Sequence, residues 1–278
     1  MSLVLQKKRE SALVAPLTLD PLSAHIAQAA GFEVGYVSGG ALGYAYGVSE
    51  ALLTVTELAE VVRRITNQTD MDVIADIGVG FGDPVHVART TVEMESAGAC
   101  AVEIEDQVAP KRVSHHRGIE HLVDVTSMCD KIKVICDTRV NDSMLVIART
   151  GAVKNESFVA ALERLERYAE AGADILMLMP EDAQQCAQAR SQFDLPLATI
   201  TAMDQAQAPK WQGWDLIIDP FTAQVLAVTA VQNAYQRYVK TGETGVDLRE
   251  LFDAYHELDT LAGLEPLYTI EDWTTERQ

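Results

Sequence analysis

The sequence predicts an α/β fold, a (β/α)8 TIM-type barrel that occupies one domain, residues 1–278. Eight short apolar runs alternate with amphipathic stretches along the chain. Continuous apolar runs are typical of parallel strands that are covered on both faces. Eight such units favour a closed barrel over an open sheet, and a chain of 278 residues has a common length for one.

The predicted strands are short and rich in apolar residues. They span residues 12–16, 34–38, 73–76, 100–104, 145–148, 175–179, 197–200 and 216–219. No linker or low-complexity segment separates them, which supports a single domain.

The segments between the strands show helical periodicity. Residues 54–66 and 158–171 each place apolar residues on one face with a period of 3.6. Ser157 or Asn155 is expected to cap the second helix. Glycine with a positive φ is expected to end helices just ahead of four strands, at Gly31, Gly98, Gly172 and Gly213.

Composition excludes several classes of function. The net charge of −19 argues against nucleic-acid binding, which needs a basic surface, and against binding to an anionic membrane surface. No stretch reaches the ~18 apolar residues of a membrane span. The four cysteines lack CxxC spacing and are interpreted as reduced thiols of a cytoplasmic protein.

The C-terminal tail, residues 246–278, is polar and aromatic and contains Tyr255, Tyr268 and Trp273. We expect it to form terminal helices or to pack on a neighbouring subunit, where it would contribute to oligomer contacts.

Carboxylates and bases gather at the predicted strand ends. Glu105 and Asp106 follow the fourth strand, and Lys111 and Arg112 come soon after. Asp76 ends the third strand. In a barrel, functional groups lie at the C-terminal strand ends, so these side chains are expected to converge. Asp76 and Glu105 suit a shared hard cation such as Mg²⁺; the alternative is a hydrogen-bonded layer at the barrel mouth.

Two other strand ends suit a small anion. Backbone N–H groups of Ser38, Gly39 and Gly40 can face a carboxylate, although a tight turn also explains these glycines. Arg149 can bind a carboxylate with two hydrogen bonds, or it can form an ion pair with a barrel acid.

Short motifs in a fixed order resemble the isocitrate lyase/phosphoenolpyruvate mutase superfamily, which includes oxaloacetate decarboxylase, carboxyphosphonoenolpyruvate mutase and methylisocitrate lyase. The resemblance covers about residues 12–240. The motifs are Tyr36-Val37-Ser38-Gly39, Gly80-Phe81-Gly82, Ile104-Glu105-Asp106-Gln107, Pro110-Lys111-Arg112 and Ala148-Arg149-Thr150.

The resemblance implies a barrel whose C-terminal helix is swapped between the subunits of a homodimer or homotetramer. It also implies Mg²⁺ or Mn²⁺, a small 2-oxo or 2-hydroxy acid as substrate, and an enolate that the metal stabilises. The substrate-binding residues it implies are Tyr36, Ser38, Gly39, Gly40 and Arg149. The metal ligands, mostly through water, are Asp76 and Glu105. The catalytic candidates are Lys111, His115 and Glu50.

Three departures from the superfamily pattern limit the choice of reaction. Gly78 stands where a second metal-site aspartate is usual, which predicts weak metal binding. Val113 stands where the lyases carry an acidic cysteine, and valine transfers no proton. In the loop after strand two, the expected aspartate is either shifted to Glu50 or lost at Ser49.

Three functions remain open on the sequence. The first is a metal-dependent lyase or decarboxylase of the oxaloacetate decarboxylase kind, which tolerates loss of the lyase cysteine. The second is a phosphonate-type mutase or hydrolase, in which Lys111 and Arg112 meet a phosphonate. The third is a catalytically impaired relative that serves as a binding or scaffolding oligomer, as Gly78 suggests.

Overall fold

The computed structural model describes residues 11–118 and 120–276. Its eight strands are all parallel and lie in the order β1-β8-β7-β6-β5-β4-β3-β2, with a bridge between Leu17 and Tyr36 that joins the two ends. The predicted (β/α)8 barrel is therefore confirmed. The strands are β1 (Leu13–Pro16), β2 (Val34–Val37), β3 (Asp72–Asp76), β4 (Ala101–Glu105), β5 (Leu145–Arg149), β6 (Ile175–Met177), β7 (Leu197–Ile200) and β8 (Leu216–Asp219).

Helices cover the outside of the barrel and extend beyond it at the C-terminal end of the chain. They are α1 (Pro21–Ala29), α2 (Gly39–Tyr46), α3 (Val55–Gln68), α4 (Pro84–Ser96), α5 (Val125–Thr138), α6 (Ala152–Asn155), α7 (Phe158–Glu170), α8 (Ala183–Gln192), α9 (Thr222–Thr241), α10 (Leu248–Leu261) and α11 (Glu265–Thr274). Short 3-10 helices lie at Glu50–Leu52, Val113–Arg117, Met203–Gln205 and Pro209–Trp211.

Local chemistry explains where elements begin and end. Thr54 caps α3 and forms a capping box with Glu57. Ser157, rather than Asn155, caps α7. Ser38, predicted as the end of a strand, instead caps α2. The sixth strand ends at Met177, two residues earlier than predicted.

All four predicted helix-ending glycines have a positive φ. Gly31, Gly98 and Gly172 follow α1, α4 and α7 within two residues, as expected. Gly213 differs, because it follows the short 3-10 helix Pro209–Trp211 rather than an α-helix.

Two apolar clusters hold the fold together. One fills the barrel with inward side chains such as Ala15, Ile74 and Ile147. The other lies between the strands and the helices, where α3 contributes Leu58 and Ile65. Because side chains alternate along a strand, each strand supplies residues to both clusters.

The C-terminal helices α9, α10 and α11 have no buried residues in the single chain. They expose apolar side chains along their length, including Leu226, Tyr235, Phe252 and Trp273. In the described part of the chain, no helix combines the length and the apolar character needed to cross a membrane.

Candidate active site

The site lies at the C-terminal ends of β2 to β5. There, the side chains that face the barrel interior change from apolar to charged. On β4, every second side chain points to the same side of the sheet. Ala101 belongs to the cluster inside the barrel, so Glu103 and Glu105 also face inward. Glu103 and Glu105 are both buried. The strand register sets Glu105 beside Arg149 on β5 and Glu103 beside Asp76 on β3.

Asp76 is held by backbone groups. Its Oδ2 accepts a hydrogen bond from the N–H of Gly39 at 3.0 Å, and its Oδ1 accepts one from Gly78 at 2.9 Å. Gly39 opens α2, so the positive end of that helix faces the carboxylate. The Gly39 N–H that was predicted to meet the substrate is thus engaged by a protein acid.

Glycine at position 39 also permits a close approach. A Cβ atom built there lies only 2.9 Å from Cγ of Glu50, so a larger residue would displace that side chain. The Ser38 hydroxyl accepts from Ala41 as the helix cap. Gly40 lies in the same first turn, where a Cβ atom would be 3.6 Å from Glu50 Oε2.

Lys111 joins acids from two parts of the chain. Its Nζ donates to Oε1 of Glu50, on the loop after α2, and lies 2.5 Å from Oε1 of Glu105. Only 8% of the Lys111 side chain is exposed. The loop acid that reaches the site is therefore Glu50, while the Ser49 hydroxyl contacts Nε2 of His116.

His115 completes this group from the 3-10 helix Val113–Arg117. Its Nε2 lies 3.1 Å from Glu50 Oε2, and its Nδ1 lies 2.7 Å from the carbonyl oxygen of Arg112. Val113, which replaces the lyase cysteine, is 54% exposed on the same short helix. The structure thus brings the three catalytic candidates Glu50, Lys111 and His115 into contact.

Arg149 lies between the two inward acids of β4. Its guanidinium nitrogens are 3.6 Å from Glu103 Oε1 and 3.5 Å from Glu105 Oε2. The Tyr36 hydroxyl donates to Glu103 Oε2 at 2.6 Å. Sequence reasoning missed Glu103 as a member of the site, although its separation of two residues from Glu105 is the signal that places both on one face.

Asp106, which the sequence groups with Glu105, faces the other way. Its carboxylate accepts hydrogen bonds from Thr150, Gly151 and Tyr168, at 2.6, 3.0 and 2.8 Å, and lies 3.3 Å from Arg164. A one-residue step along a strand reverses the direction of the side chain. Asp106 therefore anchors α7 to the barrel. Glu181, which follows the sixth strand, is exposed.

A cavity of about 110 Å³ opens beside this cluster. Its polar lining includes Glu50, Asp76 and Lys111, and its apolar wall includes Leu58 and Phe81. Of the predicted substrate-binding residues, Gly39 lines it, whereas the Tyr36 and Arg149 side chains belong to the buried layer that contacts Glu103.

The acids differ in proton affinity because their surroundings differ. Burial, followed by the charge of Glu50, raises the pKa of Asp76 to about 6. Burial also acts to raise the pKa of Glu50, but hydrogen bonds from His115 and the charge of Lys111 outweigh it and lower that pKa to about 2. For Glu105, the charges of Lys111 and Arg149 outweigh burial and lower the pKa.

The neighbouring acids raise the pKa values of the two bases, Lys111 and His115. Burial disfavours the ammonium of Lys111, but the charges of Glu105 and Glu50 outweigh burial and raise its pKa. The hydrogen bond with Glu50 raises the pKa of His115. Lys111 is therefore a fixed cation, and His115 is a candidate proton carrier.

Carboxylate oxygens of the kind that Mg²⁺ prefers are present at Asp76, Glu105 and Glu50. Among residues 11–118 and 120–276, no three His, Cys, Asp or Glu side chains are arranged to hold a metal ion. The three carboxylates have the oxygen atoms that a hydrated metal ion needs when it is held mostly through water. In this structure, the Lys111 ammonium contacts two of them.

A (β/α)8 barrel with acids, bases and a cavity at the C-terminal ends of its strands has the arrangement of a barrel enzyme. The phosphoenolpyruvate phosphomutase family model matches residues 4–237, and the chain belongs to this family.

Two curated relatives show the chemistry that the family supports. The 2-methylisocitrate lyase of Vibrio cholerae is 33% identical over 243 residues, covering 81% of this chain and 78% of the relative. Oxaloacetate decarboxylase 1 of Pseudomonas fluorescens is 33% identical over 247 residues, covering 85% of this chain and 84% of the relative. These similarities place the chain among the carbon–carbon lyases.

A solved structure of phosphonopyruvate hydrolase in complex with oxalate and Mg²⁺ is 27% identical to this chain. It superimposes with a TM-score of 0.80 and covers 94% of this chain and 93% of the hydrolase. A divalent metal is thus present in a structural relative.

Proposed function

We propose that the chain is a decarboxylase or lyase of a small 2-oxo or 2-hydroxy acid, similar in reaction to oxaloacetate decarboxylase. The observation that carries the proposal is the pairing of Lys111 with Glu50 and Glu105 at a cavity of about 110 Å³, with Arg149 beside Glu105. A cavity of this size favours a substrate of a few carbon atoms. Two buried cations suit the carboxylate of such a substrate.

Each residue has a defined task in this proposal. Lys111, which lines the cavity, and Arg149, which lies beside Glu105 with 16% of its side chain exposed, bind the substrate oxygens and stabilise negative charge that develops on the 2-oxo oxygen. Asp76 and Glu105 would hold Mg²⁺ or Mn²⁺, mostly through water. Such an ion, when bound, supplies Lewis-acid polarisation of the 2-oxo group.

Proton movement is assigned to His115 and Glu50. In decarboxylation the C–C bond breaks, CO₂ leaves, and its bonding electrons form an enolate that later takes up a proton at carbon. His115 Nε2 lies within hydrogen-bond distance of Glu50 Oε2, and we assign to His115 the transfer of that proton from solvent. No acid is needed in the cleavage step itself, so the exposed Val113 does not block this reaction.

The test is turnover of oxaloacetate by the purified protein with Mg²⁺ or Mn²⁺, measured as pyruvate formed above the metal-only rate. 2-Methylisocitrate and phosphonopyruvate are the comparison substrates. The proposal requires that oxaloacetate be turned over faster than both. Preferential cleavage of either comparison substrate would assign the site to that other reaction.

A second candidate is a non-catalytic binding protein of the same family. Gly78 favours it, because glycine supplies no carboxylate where the superfamily pattern has a second metal-site aspartate. Binding of oxalate without turnover of any of the three substrates would support this alternative.

We also propose that the chain forms a homodimer or homotetramer in the cytoplasm. The apolar side chains exposed on α9, α10 and α11 are the support for assembly, because such faces gain stability when a neighbouring subunit covers them. The tail helices α10 and α11 are expected to contribute to those contacts. The thiols of Cys129, Cys136 and Cys186 are free, which agrees with a reducing compartment.

A further inference from the structure

We infer that the Lys111 ammonium is the resident cation of this site and competes with a divalent ion for the carboxylate of Glu105. This role deepens the proposed function, on which it rests for the identity of the site.

The contacts of Lys111 define a cation position. Its Nζ donates to Oε1 of Glu50 and lies 2.5 Å from Oε1 of Glu105. The Glu105 side chain is 2% exposed and that of Glu50 is 11% exposed, so little water screens these pairs. An ammonium donates up to three hydrogen bonds, and here it bridges acids from two separate segments.

Position 78 lies beside this ammonium. A Cβ atom built on Gly78 lies 3.5 Å from Glu50 Oε1 and 3.9 Å from Lys111 Nζ, which is ordinary van der Waals contact. Glycine at this position adds no negative charge that would favour a doubly charged ion.

A divalent ion and the ammonium would share one carboxylate, that of Glu105. Mg²⁺ and Mn²⁺ would take their protein ligands from Asp76 and Glu105, and Lys111 Nζ already contacts Glu105. Positive charges a few ångströms apart in a buried site repel each other strongly. A metal ion at Asp76 and Glu105 therefore has to displace Lys111 from Glu105, and the free energy of that contact is subtracted from the metal affinity.

The experiment measures Mn²⁺ and Mg²⁺ affinity by isothermal titration calorimetry on the full chain. The variants are Lys111→Gln, which removes the charge, and Lys111→Arg, which keeps it. Lys133→Gln is the matched control, because Lys133 is exposed on α5 and the net charge changes equally. We expect Lys111→Gln to bind Mn²⁺ about tenfold or more tightly than the parent. Lys111→Arg and Lys133→Gln should stay within about twofold of the parent.

Equal Mn²⁺ affinity of the Lys111→Gln and Lys133→Gln proteins would overturn the inference, as would equal tightening by Lys111→Arg and Lys111→Gln. Circular dichroism melting establishes that each variant is folded. If Lys111→Gln does not fold, Lys111→Met replaces it, since methionine keeps most of the buried apolar stem. No turnover enters this test, so a failed oxaloacetate assay leaves its outcome unchanged.

Discussion

The Tyr36 hydroxyl donates a hydrogen bond to Oε2 of Glu103 across 2.6 Å inside the barrel, where 1% of Tyr36 and none of Glu103 is exposed. The other oxygen of Glu103 has no hydrogen-bond partner among the described residues, and the Arg149 guanidinium lies 3.6 Å from it. Glu103 thus links β2 to β5 beneath the cavity. It positions two residues that we assign to substrate binding.

Tyr36→Phe should weaken both stability and ligand binding. The change leaves Glu103 Oε2 buried without its donor, which should lower the free energy of unfolding by about 1–3 kcal/mol. Oxalate affinity should also fall if Tyr36 positions the site. Tyr168→Phe is the matched control, since Tyr168 donates to buried Asp106 away from the cavity. Urea unfolding and calorimetry with oxalate measure the two effects. Equal oxalate affinity in Tyr36→Phe and the parent would remove Tyr36 from the site.

Glu103→Gln should flatten the dependence of stability on pH. Burial, followed by the charge of Asp76, raises the pKa of Glu103 to about 8. The folded protein therefore keeps a proton that the unfolded chain loses above about pH 4.3. Stability from this group is complete below that pH and is lost as the pH rises to about 8.

The variant should therefore be the more stable protein at pH 8.5, by roughly 5 kcal/mol, because pKa values of about 8 in the folded protein and about 4.3 in the unfolded chain differ at about 1.4 kcal/mol per pKa unit. Urea unfolding at pH 5.5, 7 and 8.5 measures the slope in both proteins. Asp76 titrates in both proteins, so the difference between the curves reports the loss of the Glu103 carboxyl together with its coupling to Asp76. Parallel curves would show that Glu103 does not hold its proton.

The fold could be predicted from the sequence because its signals are local. Each apolar run and each cap acts within a few residues, as at Thr54 and Ser157. The ends of the strands were predicted less accurately than the strands themselves. Ser38 follows the alternation of β2, yet its hydroxyl caps α2 and ends the strand.

The candidate site could be predicted only in part, for physical reasons. Strand-end residues such as Asp76 and Arg149 are placed by the barrel itself, so their convergence follows from the fold. The contact between Glu50 and Lys111 joins positions 61 residues apart on two loops, and no local pattern encodes it. Asp106 was grouped with Glu105 because sequence proximity hides the alternation that separates them.

Gly78→Asp should tighten Mn²⁺ binding and raise any cleavage of a 2-oxo acid, because it adds a carboxylate beside Asp76 and Glu105. Position 78 has φ +52°, a conformation that aspartate tolerates better than most residues, so the cost in stability should be about 1 kcal/mol. Gly78→Ala carries comparable backbone strain without the carboxylate. Calorimetry on the three proteins decides the matter, and equal affinity for Mn²⁺ in all three would contradict the prediction.

Arg149→Lys should weaken oxalate binding by about 1.5–3 kcal/mol, the range of a charge-assisted hydrogen bond. Lysine keeps the charge beside Glu103 and Glu105 but loses the planar pair of donors. Arg139→Lys is a suitable control, since Arg139 pairs with Asp174 and not with the acids of β4. Unchanged oxalate affinity in a folded Arg149→Lys protein would show that Arg149 serves only the ion pairs of β4.

The C-terminal helices should hold subunits together in solution. The single chain leaves Leu226 65% exposed on α9 and Trp273 61% exposed on α11. Light scattering should give a mass of two or four times 30.3 kDa, and Trp273 should become less accessible to a fluorescence quencher in that oligomer.

Leu226→Asp places a charge on the apolar face and should shift the protein toward the monomer, because an unpaired charge is costly in an interface. Val140→Asp is the control, since Val140 is 91% exposed on the loop after α5. A parent protein of 30.3 kDa at micromolar concentration would refute the assembly, and an unchanged mass for Leu226→Asp would place the interface elsewhere.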